Sequence, residues 1–200
     1  MRMSHAFLPL VAATLFIVGC GNKEPATSAV AQADAAMERD RAEGTQFAPA
    51  ETKVADATLA QMKADLAKED YKAVLAAIPK INADVKAMQE AAISLKTLTA
   101  AAQNEWQTLN QEVPKTVQEI ETRVETLSGG KLPKEITKET LAAAKTELEG
   151  VKATWAEATA AASAGDALKA TDKGRTVQVR AEKLKDQLGL SDAALASITK

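Results

Sequence analysis

The sequence predicts an all-α protein, an antiparallel bundle of three or four long amphipathic helices with coiled-coil-like seams. Three observations predict it. Val74, Ile78, Ile81, Val85, Met88, Ala92, Leu95, Thr99, Ala102, Trp106, Leu109 and Val113 follow one another at alternating spacings of four and three. That alternation keeps a single stripe of a helix turned toward one neighbour. Alanine makes up about a fifth of the chain and aromatics only 3%, a composition of close-packed long helices and not of a thick globular core. The connections at Glu69-Asp70 and Gly165-Asp166 are short, so the helices they join must run back along one another.

At the front, Arg2 opens a short basic segment and Ala6 to Val18 is an apolar run. Thirteen residues fall short of the roughly 20 that a helix needs to cross a hydrocarbon core, so the run reads as a signal segment. It ends in Ile17-Val18-Gly19-Cys20, which resembles the lipobox of bacterial lipoproteins. The resemblance covers about the first 20 residues and implies cleavage after Gly19, with Ile17, Val18 and Gly19 read by the signal peptidase. It also implies acylation of Cys20, so that two or three chains anchor the mature protein firmly. Gly21, where aspartate would mark inner-membrane retention, implies an outer-membrane lipoprotein facing the periplasm. Cys20 is the only cysteine, so no disulfide forms within the chain.

Behind that address, residues 20–50 read as the lipidated cysteine and a flexible tether. Gly21, Pro25, Gly44 and Pro49 punctuate an alanine-rich piece, Ala29 to Glu43, which Ser28 would cap as a lone helix without an apolar stripe. The bundle domain is expected over 51–190. Pro49 and Thr52 introduce its first helix, with Ala55, Leu59, Met62 and Leu66 inward, and Asp70 caps the next. The long helix then starts near Tyr71. Pro79 either kinks it or opens it from the first turn, and Pro114 interrupts it once before Val117, Ile120, Val124 and Leu127 resume the stripe.

Ser128-Gly129-Gly130 stops that helix. Thr137 caps another that carries Leu141, Ala144, Leu148, Val151, Trp155, Ala158 and Ala162. After Gly165-Asp166 the last long helix carries Ala170, Val177, Ala181, Leu184 and Leu188. Gly174 holds a seam position there, which predicts a close crossing. Gly189 ends this helix, and residues 191–200 form a short tail.

Few residues carry chemistry. The one histidine, His5, leaves with the signal, and with it go Ser-His and Cys-His catalysis, zinc sites of the usual kind and bundle di-iron motifs. Glu119 with Glu121, and Glu147 with Glu149, are carboxylate pairs only on paper, because side chains two apart on a helix diverge. No enzyme activity, cofactor or metal is expected. Trp106, Trp155 and Tyr71 sit on seams and read first as core anchors, second as a wall for an apolar ligand.

Charge is close to balanced: the 25 basic residues less Arg2 leave 24 against 27 acidic, a net of −3 for the processed chain. A nucleic-acid partner is therefore not expected. The terminal Lys200 is similar to the lysine by which murein lipoproteins are joined to peptidoglycan. Here, however, Ala196-Ser197-Ile198-Thr199 precedes it in place of that family's tyrosine–arginine pair. The expected function is a lipid-anchored scaffold or adaptor of the cell envelope, with a protein partner or self-association through its helices. The alternative is a binding module for a lipid or small apolar ligand between helices near Trp106 and Trp155.

Overall fold

The computed structural model describes residues 22–190, so the lipobox with Cys20, Gly21 and the tail with Lys200 lie outside the described residues. Within them the chain is all helix: α1 (Lys23–Phe47), α2 (Pro49–Ala67), α3 (Tyr71–Gly129), α4 (Lys138–Ser163) and α5 (Ala167–Gln187), with no strand among the described residues. Two compact units divide between Glu90 and Ala91. α1, α2 and the opening turns of α3 build the first; the remainder of α3 with α4 and α5 builds the second.

In the first unit the expected tether is a packed helix. Ala26, Val30, Ala33, Met37 and Gly44 of α1 are buried. Apart from Met37 and Val30 these are small residues, an inward stripe that carries little apolar area of its own, so packing and not propensity stabilises the helix. Ser28 is no cap: it lies inside α1, where its hydroxyl accepts from Gln32 Nε2 at 3.0 Å. Pro25 fits because it stands in the first turn, whose backbone donors lack helical acceptors anyway. Nor does Gly44 break α1. A β-carbon there would lie 2.6 Å from Thr52 Oγ1 and 2.7 Å from Met88 Sδ, so glycine stands where side chains of α2 and α3 press on the α1 backbone. The break falls at Ala48, with Pro49 opening α2. Arg41–Asp56 at 2.7 Å and Lys63–Asp34 at 2.6 Å pair rising with falling numbers, so α1 and α2 are antiparallel.

α3 passes both prolines without a break, 59 residues in one helix. Each proline removes one backbone bond and crowds the preceding turn. Pro79, Pro114 and Asn110, whose carbonyl loses its donor to Pro114, are all exposed, so the orphaned Asn110 group is open to solvent. On the opposite face Val74, Ile81, Val85, Leu109, Val113 and Ile120 are buried, and that burial outweighs the local cost.

The second unit is up-down-up. α3 and α5 run parallel, as Ala102–Thr171, Glu119–Lys185 and Arg123–Leu188 show by rising together, and α4 runs back between them. Leu109, Val113, Ile120, Leu148, Val151, Val177 and Leu184 form its core. Caps stand where the sequence puts them. Thr137 Oγ1 accepts from Thr140 N at 3.1 Å, Asp166 Oδ1 from Lys169 N at 3.0 Å, and Asp70 Oδ1 from Ala73 N at 3.1 Å. Gly165 takes φ +83° to make the turn between α4 and α5.

Candidate functional site

The largest side chains meet in the second unit. Trp106 of α3 and Trp155 of α4 stack with ring centroids 5.2 Å apart and planes 25° from parallel. Both are partly buried and lie against the core cluster. α5 closes on them through Gly174, where a β-carbon would sit 2.9 Å from Leu109 Cδ1 and 3.4 Å from the Trp106 ring. One turn earlier, buried Thr171 donates to the carbonyl of Ala102 at 2.9 Å. This is the close crossing that Gly174 predicts. Stacked face to face, the indoles pack on one another between α3 and α4. Tyr71, half-buried at the start of α3, belongs to the first unit and is not part of this cluster.

Ion pairs surround the stack. Glu105, next to Trp106, takes both ends of the Arg175 guanidinium, and Glu157 takes Lys173. Arg180 donates to Glu147 at 2.7 Å and to Thr154 Oγ1 at 3.1 Å. It lies over Gly150, where a β-carbon would be 2.7 Å from its Nη2. The hydrogen bond from Arg175 holds Glu105 below its ordinary carboxylate range. Arg180 does the same for Glu147, and Lys173 for Glu157. These carboxylates are ionised at neutral pH, with lone pairs directed at fixed cations, an arrangement that joins helices.

The paper pairs of carboxylates separate as their spacing requires. Glu119 faces Lys185 of α5 at 3.2 Å while Glu121 faces Lys152 of α4 at 2.9 Å. Glu147 turns to Arg180, and Glu149 stands 3.8 Å from Lys152. Among the described residues no three His, Cys, Asp or Glu side chains gather as a metal site.

Sequence reasoning missed an open groove of about 530 Å³ in the first unit, where Ala50, Val54 and Ala57 of α2 face Ala77 of α3, with Lys53 and Lys80 at its edges. Lys80 is already engaged, 2.6 Å from Asp84 and 2.9 Å from Thr58 Oγ1. Burial pushes Asp84 up, but hydrogen bonds from Lys80 and Thr58 outweigh it and leave the carboxyl below its ordinary value. The exposed Val54 was the only available signal, and one outward valine on a helix says little. In the second unit Ile93 and Leu98 of α3 and Val179 of α5 are 61%, 56% and 69% exposed.

No protein-family model, curated protein or solved structure matches this chain.

Proposed function

We propose that the chain is a lipid-anchored scaffold or adaptor of the bacterial cell envelope, held by acylated Cys20 in the outer membrane and facing the periplasm. The observation that supports this reading best is α3, one helix that supplies the third member of two separate three-helix units. Its outward side keeps Ile93 and Leu98 exposed while its inward stripe is consumed by packing. A helix used in this way gives one chain two folded surfaces for partners, and the ion pairs around Trp106 and Trp155 fix helices together instead of enclosing a substrate. No described helix is long and apolar enough to cross a membrane, so attachment in this reading depends on the acyl chains.

The address and the partner are tested separately. Radiolabelled palmitate enters the wild-type chain and not Cys20→Ser; labelling of both, or of neither, removes the anchor from the proposal. A photoreactive residue replacing Ile93 or Leu98 in intact cells then identifies what touches α3. One recurrent protein adduct supports an adaptor, and adducts to the same chain or to peptidoglycan support a structural element. Adducts to lipid alone would replace this reading with the carrier of an apolar ligand.

A further inference from the structure

The sequence has five methionines, Met1, Met3, Met37, Met62 and Met88. The three that are described all belong to the first unit, one on each of its helices, and each is fully buried. From Ala91 to Lys200 there is none. The first unit otherwise packs with alanine, valine and the buried Thr52 and Thr58 around Leu59 and Ile81, so the methionines are among its largest core side chains. The antiparallel register set by Arg41–Asp56 and Lys63–Asp34 puts Met37 opposite Ala60, beside Leu59, and Met62 opposite Ala35, between Ala33 and Met37. The sulfur of Met88 packs directly on Gly44, 2.7 Å from where a β-carbon would stand.

We infer that the first unit is a redox-sensitive element: peroxide oxidation of Met37, Met62 and Met88 opens it while the second unit stays folded. In each event a thioether lone pair attacks one peroxide oxygen, the sulfur–oxygen bond forms and the oxygen–oxygen bond breaks. The sulfur loses two electrons, and the second oxygen takes the peroxide's protons and leaves as water. The product is a polar sulfoxide larger by one oxygen. The hydroxyl beside Met88, that of Thr52, is already donated to the Ala48 carbonyl at 2.8 Å, and a buried polar group without a partner disfavours the closed state. At Met88 the added oxygen lacks room as well. Because the sulfurs are covered, peroxide reaches them only when helices of this unit separate, and oxidation then traps the separated form.

The test uses the full chain with Cys20→Ser, so that no thiol competes, treated with hydrogen peroxide until peptide mass spectrometry finds all three sulfoxides. Hydrogen exchange is expected to accelerate by about tenfold or more over residues 23–90, the factor for a buried sulfoxide without a donor. Exchange over 91–190 and the fluorescence of Trp106 and Trp155 stay as they were, and methionine sulfoxide reductase restores the original pattern. A chain with Met37→Leu, Met62→Leu and Met88→Leu is expected to keep its exchange pattern in peroxide. Should that variant fail to fold, the exchange map of the oxidised Cys20→Ser chain decides alone. Complete oxidation without faster exchange, or equal acceleration in both halves, overturns the inference.

Discussion

The two units share a helical period and differ in what fills it. The first brings three helices together on Ala26, Ala33, Ala55 and Gly44, with three methionines as filler. The second uses Leu109, Leu148, Val151, Val177 and Leu184 with a stacked tryptophan pair. Small side chains allow helices to approach until backbone meets side chain, and each contact then depends on the absence of a methyl group. Large ones hold helices further apart and stabilise through area removed from water. The same seven-residue logic thus yields one unit sensitive to added volume and another sensitive to lost volume.

Removing volume from the second unit should have the largest effect. Trp106→Ala is expected to cost about 3 kcal/mol, near the lower end for a tryptophan because the ring is only partly buried, and to abolish the stack with Trp155. Urea unfolding followed by helicity measures it, and a loss below about 1 kcal/mol would show that the indoles are peripheral.

Adding volume separates the units next. Gly44→Ala is expected to destabilise by about 2 kcal/mol, since Thr52 is bonded to the carbonyl of Ala48 at 2.8 Å and yields little. Gly174→Ala crowds the flexible end of Leu109 and otherwise touches the Trp106 ring at 3.4 Å, close to ordinary contact. The gain of about 1 kcal/mol in helix propensity offsets that crowding, leaving the variant within about 1 kcal/mol of wild type. Equal midpoints for the two alanine variants would erase the proposed contrast.

A smaller effect is expected from Thr171→Val, which keeps the shape and loses the buried bond to the Ala102 carbonyl, at about 1 kcal/mol in the same unfolding assay.

Acid should distinguish the units most weakly. Glu105, Glu147 and Glu157 of the second unit are lowered from 4.5 by their basic partners. Asp40 and Asp84 of the first are lowered from 3.8, Asp40 by the Arg39 hydrogen bond and Asp84 by bonds that outweigh its burial. A folded value below the unfolded one contributes stability that is complete above the unfolded value and lost as pH falls through the folded one. Loss therefore begins near pH 4.5 in the second unit and near 3.8 in the first. These pairs are largely exposed, so each effect is small. A pH titration of hydrogen exchange in which residues 23–90 respond first would reverse the assignment.

The seam of α3 was legible because Val, Ile, Leu and Met recur at helical spacing, and the caps at Asp70, Thr137 and Asp166 because a short polar side chain there satisfies a helix start. α1 was not. An alanine or glycine looks the same on a solvated face as on a buried one, and only Thr52 and Met88 lying against Gly44 decide which it is. The unbroken passage through Pro114 was also hidden. The cost of proline is local and readable, whereas the packing that outweighs it comes from α4 and α5. Spacing established that Glu119 and Glu121 diverge, but the register of three helices selects Lys185 for one and Lys152 for the other.

Composition and period by themselves determined that the chain is helical, where most helices begin and end, and which stripe of α3 turns inward. These follow from backbone propensity and from the angle between successive side chains, which are properties of neighbours along the chain. Tertiary structure decided that the bundle divides at Glu90, that α1 packs, and that Trp106 meets Trp155 across the turn after Gly129. Those outcomes depend on how far apart facing helices settle, a distance set jointly by side chains remote in sequence and carried by none of them alone.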